Sequence, residues 1–242
     1  MGAPLFLVPT LPTGDLYTLD GPEGHHAATV MRLRPGEALL LSDGFGSTVE
    51  GTVAAVDKGA VRVSLGRVTE VPAPSPRLAV VQGIAKGDRG ELAVQAMTEV
   101  GVDLIVPWSA ARSVVQWRSD RGERSRQRWI DTAREAAKQA RRAWLPVVTE
   151  AASTAAVADR LRAATGRLVL HEAASRPLST VEVPETGEVV VVVGPEGGIT
   201  PEELTTFEQA GAEIVRLGDS VLRTSTAGVA ALAVLSARLG RW

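Results

Sequence analysis

Five consecutive valines, Val189–Val193, run straight into Gly194, Pro195, Glu196, Gly197 and Gly198. A buried strand that ends in such a loop can present backbone N–H and C=O groups to a ligand at close range, because no Cβ intervenes. In a parallel sheet the carboxyl ends of the strands are also where ligands bind. Helix-start signals follow at once: Thr200 as N-cap, Pro201 in the first turn, and Glu203 placed to close a capping box. A tight turn favours glycine for its own sake, and that reading stays open. The loop is neither a G-x-x-x-x-G-K-[ST] phosphate loop nor a G-x-G-x-x-G dinucleotide fingerprint. Glu196 stands where a pyrophosphate would want no negative charge, so the ligand expected is neutral or cationic.

A second stretch, RLGDSVLRTSTAG at 216–228, repeats the grammar of strand end, glycine turn and helix mouth. Hydroxyls at Thr224, Ser225 and Thr226 are ordinary N-cap chemistry. Arg223 is not, because a cation at a helix N-terminus opposes the local dipole. A third feature is basic. Arg112 to Arg142 holds ten basic residues, nine Arg and Lys138, against Asp120, Glu123, Asp131 and Glu135. Helical spacing puts Arg134, Lys138 and Arg141 on one stripe, with Trp117 and Trp129 nearby, a pattern that suits phosphate backbone as well as a solvated face.

These groups need elements to position them. Up to about residue 70 the chain reads as short strands with turns at Asp43-Gly44 and Asp57-Lys58-Gly59, a compact barrel of hairpins. One short helix interrupts it in PEGHHAATVMRLRPG, where Ala27, Val30 and Met31 recur at helical spacing. VPAPSPR, 71–77, is the linker expected between a domain at 1–72 and another at 77–242. Beyond it strands and helices alternate. The first helix of that part is capped by Asp88, with Glu91 three residues on and Gly101 at its end. A long amphipathic helix covers 123–144, with Trp129, Ala133, Ala136, Ala137, Ala140 and Trp144 on one face. Continuous apolar strands between helices predict an α/β fold with a parallel sheet covered on both faces.

The totals exclude several classes. The 242 residues are 45% hydrophobic, enough for one large domain or two smaller ones, and the net charge is −2, so no global charge argument favours nucleic acid. With no Cys there is no disulfide, and with only His25, His26 and His171 no metal centre is expected. Of 26 basic residues only Lys58, Lys86 and Lys138 are Lys; the Arg excess suits phosphate recognition but also follows from a GC-rich coding bias. The opening MGAPLFLVPTLPTGD lacks a basic n-region, and Phe6 stands where a myristoylation signal wants Ser or Thr. No apolar run approaches the roughly 20 residues of a membrane span. The expectation is a soluble cytoplasmic protein.

VVGPEGGITPEEL followed by RLGDSVLRTSTAGVAAL resembles the two C-terminal signatures of the SPOUT-class 16S rRNA (uracil-N3)-methyltransferases. HHAATVMRLRPGEALLLSDGFG, KGDRGELAVQAMTEVGVDLIVPW, RSVVQW and RWIDTAREAAKQARRAWLPVV are similar to the family's other blocks, in the same order. The resemblance implies a small PUA-like β-barrel N-terminal domain and a C-terminal SPOUT α/β domain with a deep trefoil knot, acting as a homodimer on the 16S rRNA of the small ribosomal subunit. It implies S-adenosylmethionine as cofactor. The cofactor loops would be Leu170, His171, Glu172 and Ala173; Gly194, Pro195, Glu196, Gly197 and Gly198; and Leu217, Gly218, Val221, Leu222 and Arg223, with Thr224 and Thr226 close by. RNA contacts are expected from Arg32, Arg34, Arg112, Arg134, Lys138, Arg141 and Arg142.

Three departures matter. The family usually reads L-R-x-E-T-A, and here Ser225 replaces the glutamate. Ala3-Pro4 occupies the stretch where an arginine usually precedes the first strand. Lys138 stands where the long helix usually carries a second acid. N3 of uracil becomes nucleophilic only as its proton leaves, which puts charge on O2 and O4. Arg223 is the candidate donor to that charge, and the reaction as read requires neither metal nor membrane.

Overall fold

The computed structural model describes residues 2–242, which divide into two compact units: residues up to Ala73 together with Ala137–Leu145, and Pro74–Ala136 together with Pro146–Trp242.

In the first unit, β1 (Leu5–Leu7), β2 (Leu16–Leu19), β3 (Ala38–Ser42), β4 (Ser47–Asp57) and β5 (Ala60–Glu70) form one sheet in the order β1-β3-β4-β5-β2. The β1–β3 pair is parallel and the others are antiparallel. Alternate residues of β4 and β5 point inward, so Val49, Val53, Val61 and Val63 join Phe6, Leu39 and Leu41 in a core of its own. The β4–β5 turn falls at the predicted Asp57-Lys58-Gly59, with Gly59 at φ +81°.

The helix expected around residue 30 takes another form. A short α1 (Gly21–His25) passes into a π-helical turn, His26–Val30, in which Met31 N–H donates to the His26 carbonyl five residues back. That wider period carries Val30 and Met31 off the inner face. They are 64% and 44% exposed, while Ala27 is buried.

The second unit holds a seven-stranded, wholly parallel sheet. Its strands are β6 (Arg77–Gly83), β7 (Leu104–Trp108), β8 (Val147–Val148), β9 (Gly166–Leu170), β10 (Arg176–Pro177), β11 (Glu188–Val193) and β12 (Glu213–Arg216). They lie in the order β10-β12-β9-β11-β6-β7-β8. The valine run is now explained. Val189, Val191 and Val193 enter one core with α2 (Arg89–Glu99), α3 (Ser119–Gln139) and α6 (Thr224–Arg238). Val190 and Val192 enter the other, with α4 (Thr154–Ala163) and α5 (Pro201–Gln209). A strand buried on both faces has no polar side to alternate with.

Helix ends differ in instructive ways. The capping box is complete: Glu203 N–H donates to Thr200 Oγ1 at 3.2 Å, and Thr200 N–H to Glu203 Oε2 at 3.0 Å. Asp88 occupies the N-cap of α2 without a capping bond, because its backbone is already helical at φ −83° and ψ −2°. Helix α3 stops at Gln139, five residues short of the expected end. Arg141 takes a left-handed φ of +52°, and Arg142 N–H bonds the Ala137 carbonyl at 2.9 Å, a glycine-type helix stop made without glycine. Ala140 is therefore exposed, and Trp144 lies beyond the helix, its indole N–H on the Val71 carbonyl at 2.9 Å.

The expected stripe of Arg134, Lys138 and Arg141 is broken by the same geometry. Lys138 is 6% exposed, and its ammonium meets Glu23 Oε1 at 3.0 Å within the first unit. Its charge answers a carboxylate of its own chain and offers no surface to a phosphate. Removing one member of such a buried pair strands the other. Lys138→Met should therefore lower the stability of the first unit by about 3 kcal/mol, read as an earlier denaturant midpoint.

Candidate active site

The carboxyl ends of β9, β11 and β12 and the N-terminus of α6 enclose a cleft of about 570 Å³. Its wall contains Leu170, His171 and Glu172 after β9; Gly194, Pro195, Glu196, Gly197 and Gly198 after β11; and Leu217, Gly218, Val221, Leu222, Arg223 and Thr224 after β12. Two members of the expected set lie outside it. Ala173 is exposed, with its N–H on His171 Nδ1 at 3.2 Å, and the Thr226 hydroxyl turns back to the Arg223 carbonyl at 3.1 Å. Because that ring nitrogen accepts, neutral His171 carries its proton on Nε2.

Thr224 holds the two larger loops together. Its hydroxyl donates to the Gly194 carbonyl at 2.7 Å and accepts from Gln82 Nε2 at 2.8 Å. A hydroxyl has one proton, so the first bond fixes the direction of the second and forces the buried amide to present its NH₂. Gln82 Oε1 is left without a hydrogen bond.

The glycines of the 194–198 loop answer first to protein contacts. A Cβ on Gly83 would stand 2.5 Å from Pro195 N, and one on Gly194 would stand 2.8 Å from Ile199 Cγ1. A Cβ on Gly197 would meet Arg112 Cβ at 2.8 Å, and Gly198 has φ +75°. Gly218 is different: a Cβ there meets nothing within 4 Å, and its φ needs no glycine. Close packing explains the first loop, whereas at 218 the fold itself sets no demand.

Charges in the cleft are mostly paired. Glu196 accepts from Arg89 at 3.0 Å and from the Lys86 N–H at 3.2 Å. Burial pushes its carboxyl up, but its own backbone N–H, the Arg89 guanidinium and the Lys86 N–H outweigh that and hold it below the ordinary carboxylate range. Its charge is thus answered within the chain. Arg216 pairs with Asp219 at 2.6 Å, and Arg112 donates to the Gly197 carbonyl at 3.2 Å. Among the arginines of the wall Arg223 is the exception. It is the N-cap of α6 at φ −67° and ψ 153°, exposed, and its guanidinium makes no hydrogen bond or ion pair among the described residues. Ser225 is 4% exposed and outside the wall.

Sequence reasoning missed Arg89, Arg216 and Ser220 in the wall, and Gln82 and Glu203 behind it. Glu203 does more than cap. Its buried Oε1 also accepts from Ala111 N–H at 2.8 Å and from Thr154 Oγ1 at 3.1 Å, fixing the segment that carries Arg112. Arg89 lay in KGDR, and Arg216 and Ser220 in RLGDSVLRTSTAG, blocks already singled out for other residues.

Of the residues expected to meet RNA, Arg112 lies in the cleft wall. Arg134 is exposed elsewhere in the same unit. Arg32, Arg34, Arg141 and Arg142 belong to the first unit, the first three exposed and the last half-buried. Among the described residues no group of three or more His, Cys, Asp or Glu could hold a metal ion, and no helix is long and apolar enough to cross a membrane.

The hydroxyl between the loops gives a direct test. Thr224→Val keeps the shape, removes both bonds and leaves the Gly194 carbonyl without its donor. It should cost about 1–3 kcal/mol in chemical denaturation, while Thr224→Ser should stay close to the parent.

Comparison with known proteins agrees with this geometry. The RNA methyltransferase domain family matches residues 72–236, and the RNA methyltransferase PUA domain family matches 19–66. Ribosomal RNA small subunit methyltransferase E of Mycobacterium bovis is 43% identical over 247 residues, covering 100% of this chain and 94% of that protein. The protein of the same name from Bacillus subtilis is 30% identical, covering 91% and 89%. The crystal structure of a ribosomal RNA small subunit methyltransferase E from Neisseria gonorrhoeae bound to S-adenosyl methionine superposes with a TM-score of 0.86, at 27% identity and 98% coverage of both chains. With an RNA methyltransferase domain over most of its length and a full-length relative at 43% identity, the chain belongs to the ribosomal RNA small subunit methyltransferase E family.

Proposed function

We propose that this chain uses S-adenosylmethionine to methylate N3 of a specific uridine in the 16S rRNA of the small ribosomal subunit, as a cytoplasmic homodimer. The observation that carries the reading is Arg223, a guanidinium without a protein partner in a cleft whose other arginines are engaged. The names of the relatives and the ligand of the Neisseria structure support it. In this proposal residues 1–72 form the PUA-like part and 77–242 the SPOUT part with its trefoil knot. The half-buried Val229, Ala230, Ala233 and Val234 on α6 supply apolar surface for the subunit contact.

The cleft suits such a cofactor. It combines loop backbone, the exposed Glu172 carboxylate, and apolar surface from Leu170, Leu217, Val221 and Leu222, and it is open at Gly218. The residues that would hold the cofactor are those of the three loops. When bound it supplies an electrophilic methyl group on a positively charged sulfur. The chain contributes position and charge. The loops set N3 in line with the methyl group, and the target base has to leave any pairing because N3 is on its Watson–Crick edge. Arg223 donates to the charge that grows on the uracil oxygens. Ser225 is buried and outside the wall, so removal of the N3 proton falls to another group. The exposed Arg32, Arg34, Arg134 and Arg141, with Arg112 and Arg142, are proposed to engage phosphates.

Ser225 alone favours a second reading, an RNA-binding relative without activity. That reading requires wild type to bind RNA yet leave its uridines unmethylated, which mass spectrometry of nucleosides decides.

Two variants test the assignment. Arg223→Ala should fold and bind S-adenosylmethionine nearly as wild type does, but lose about 10²–10³ in single-turnover methylation rate. Arg223→Lys should recover only part, since an ammonium lacks the planar fork. A wild-type rate in Arg223→Ala would make the residue structural. Gly218→Val should melt with the parent yet weaken cofactor binding in calorimetry; unchanged affinity would place the cofactor elsewhere.

A further inference from the structure

The chain has five Trp, three Phe and one Tyr. Apart from the C-terminal Trp242, they are buried or half-buried with one exception, Phe45, which is 73% exposed. A single exposed apolar side chain is ordinary on a protein surface. What sets Phe45 apart is how firmly its turn is held while its ring is left out.

The turn lies at Asp43–Ser47, between β3 and β4. Asp43 Oδ1 accepts the Phe45 N–H at 2.7 Å and the Ser47 N–H at 3.2 Å, and the Gly44 N–H reaches Ser42 Oγ at 3.1 Å. Residues 143–145 of the same unit lie alongside, with Phe45 and Trp144 paired as an antiparallel bridge. Gly46 N–H donates to the Ala143 carbonyl at 2.9 Å, and Leu145 N–H donates to the Gly44 carbonyl at 3.0 Å. Gly44 and Gly46 have φ of +78° and +103°, and the side chains of Leu145 and Trp144 fill the places where their Cβ atoms would stand, at 2.7 Å. The backbone is fixed on both sides, and the residue is nevertheless left 73% exposed. The strip that braces the turn is preceded directly by Arg142 and the exposed Arg141.

We infer that Phe45 is a stacking platform for an unpaired base of the RNA, with the neighbouring arginines facing that strand's phosphates. The inference rests on the reading that the substrate is RNA. An aromatic face accepts any base, and stacking tolerates sequence. A platform already rigid loses little conformational freedom on binding. The adjacent positive charge suits a nucleic acid strand better than an apolar protein surface.

The test uses the full chain and a fluorescein-labelled, single-stranded oligoribonucleotide of mixed sequence, titrated at fixed salt. Phe45→Ala should weaken binding roughly five- to hundredfold, with melting temperature and S-adenosylmethionine affinity unchanged. Phe45→Trp should restore it. Phe45→Leu, apolar but without a π face, should bind as poorly as the alanine variant. Wild-type RNA affinity in Phe45→Ala overturns the inference while leaving the cofactor and Arg223 assignments intact. Full affinity in Phe45→Leu also overturns it and identifies a merely apolar contact, of the kind a protein partner would make. If wild type itself shows no affinity for the oligoribonucleotide, the functional reading fails first and carries the inference with it.

Discussion

The Thr224 hydroxyl lies where three parts of the second unit converge: the end of β6 through Gln82, the end of β11 through the Gly194 carbonyl, and the first turn of α6 to which it belongs. Loops have no ladder of their own to hold them at a set separation, so a cleft between two of them keeps its width only if something spans it. Here the span is one oxygen with one proton, and its directionality passes inward to a buried amide. Gly83 makes the arrangement possible from below, since any side chain there would meet Pro195 N and lift the 194–198 loop. Arg112 and Glu203 brace the same loop from the other side.

Around this frame the cleft disposes of charge economically. Three arginines of the wall have partners within the chain, a carboxylate for Arg89 and Arg216 and a carbonyl for Arg112. An arginine so held is a brace, and where its partner is a carboxylate, as for Arg89 and Arg216, its field is largely offset at the ligand. Arg223 keeps its field because, among the described residues, no carboxylate pairs with it. Selectivity among four chemically identical groups thus comes from their neighbours and not from the groups themselves.

Much of this was legible in the residues. The valine run, the alternation of strands and helices, the capping box at Thr200 and Glu203, and the odd placement of Arg223 are local patterns, and local patterns follow from a few neighbouring positions. What could not be read was long-range. Glu196 looked like an uncompensated charge because its partner Arg89 lies 107 positions away. Lys138 looked like a surface cation because helical spacing places it beside arginines, while Glu23, which buries it, is 115 positions off. Gly197 looked like a ligand-facing glycine because nothing in the sequence brings Arg112 against it. The π turn at His26–Val30 and the non-glycine stop at Arg141 escaped for another reason: each breaks the period or residue preference from which such elements are recognised.

The first unit is assembled from two pieces of chain, residues up to Ala73 and Ala137–Leu145, with 63 residues of the other unit between them. During synthesis the sheet of β1–β5 therefore leaves the ribosome before Lys138, Trp144 and Leu145 exist. Until they arrive, Glu23 has no ammonium to meet, and the glycines of the 43–47 turn have nothing to close against. The unit encoded first is not finished until 63 residues of the other have been added. Any attempt to express it alone as an N-terminal fragment would produce a sheet permanently lacking its last strip.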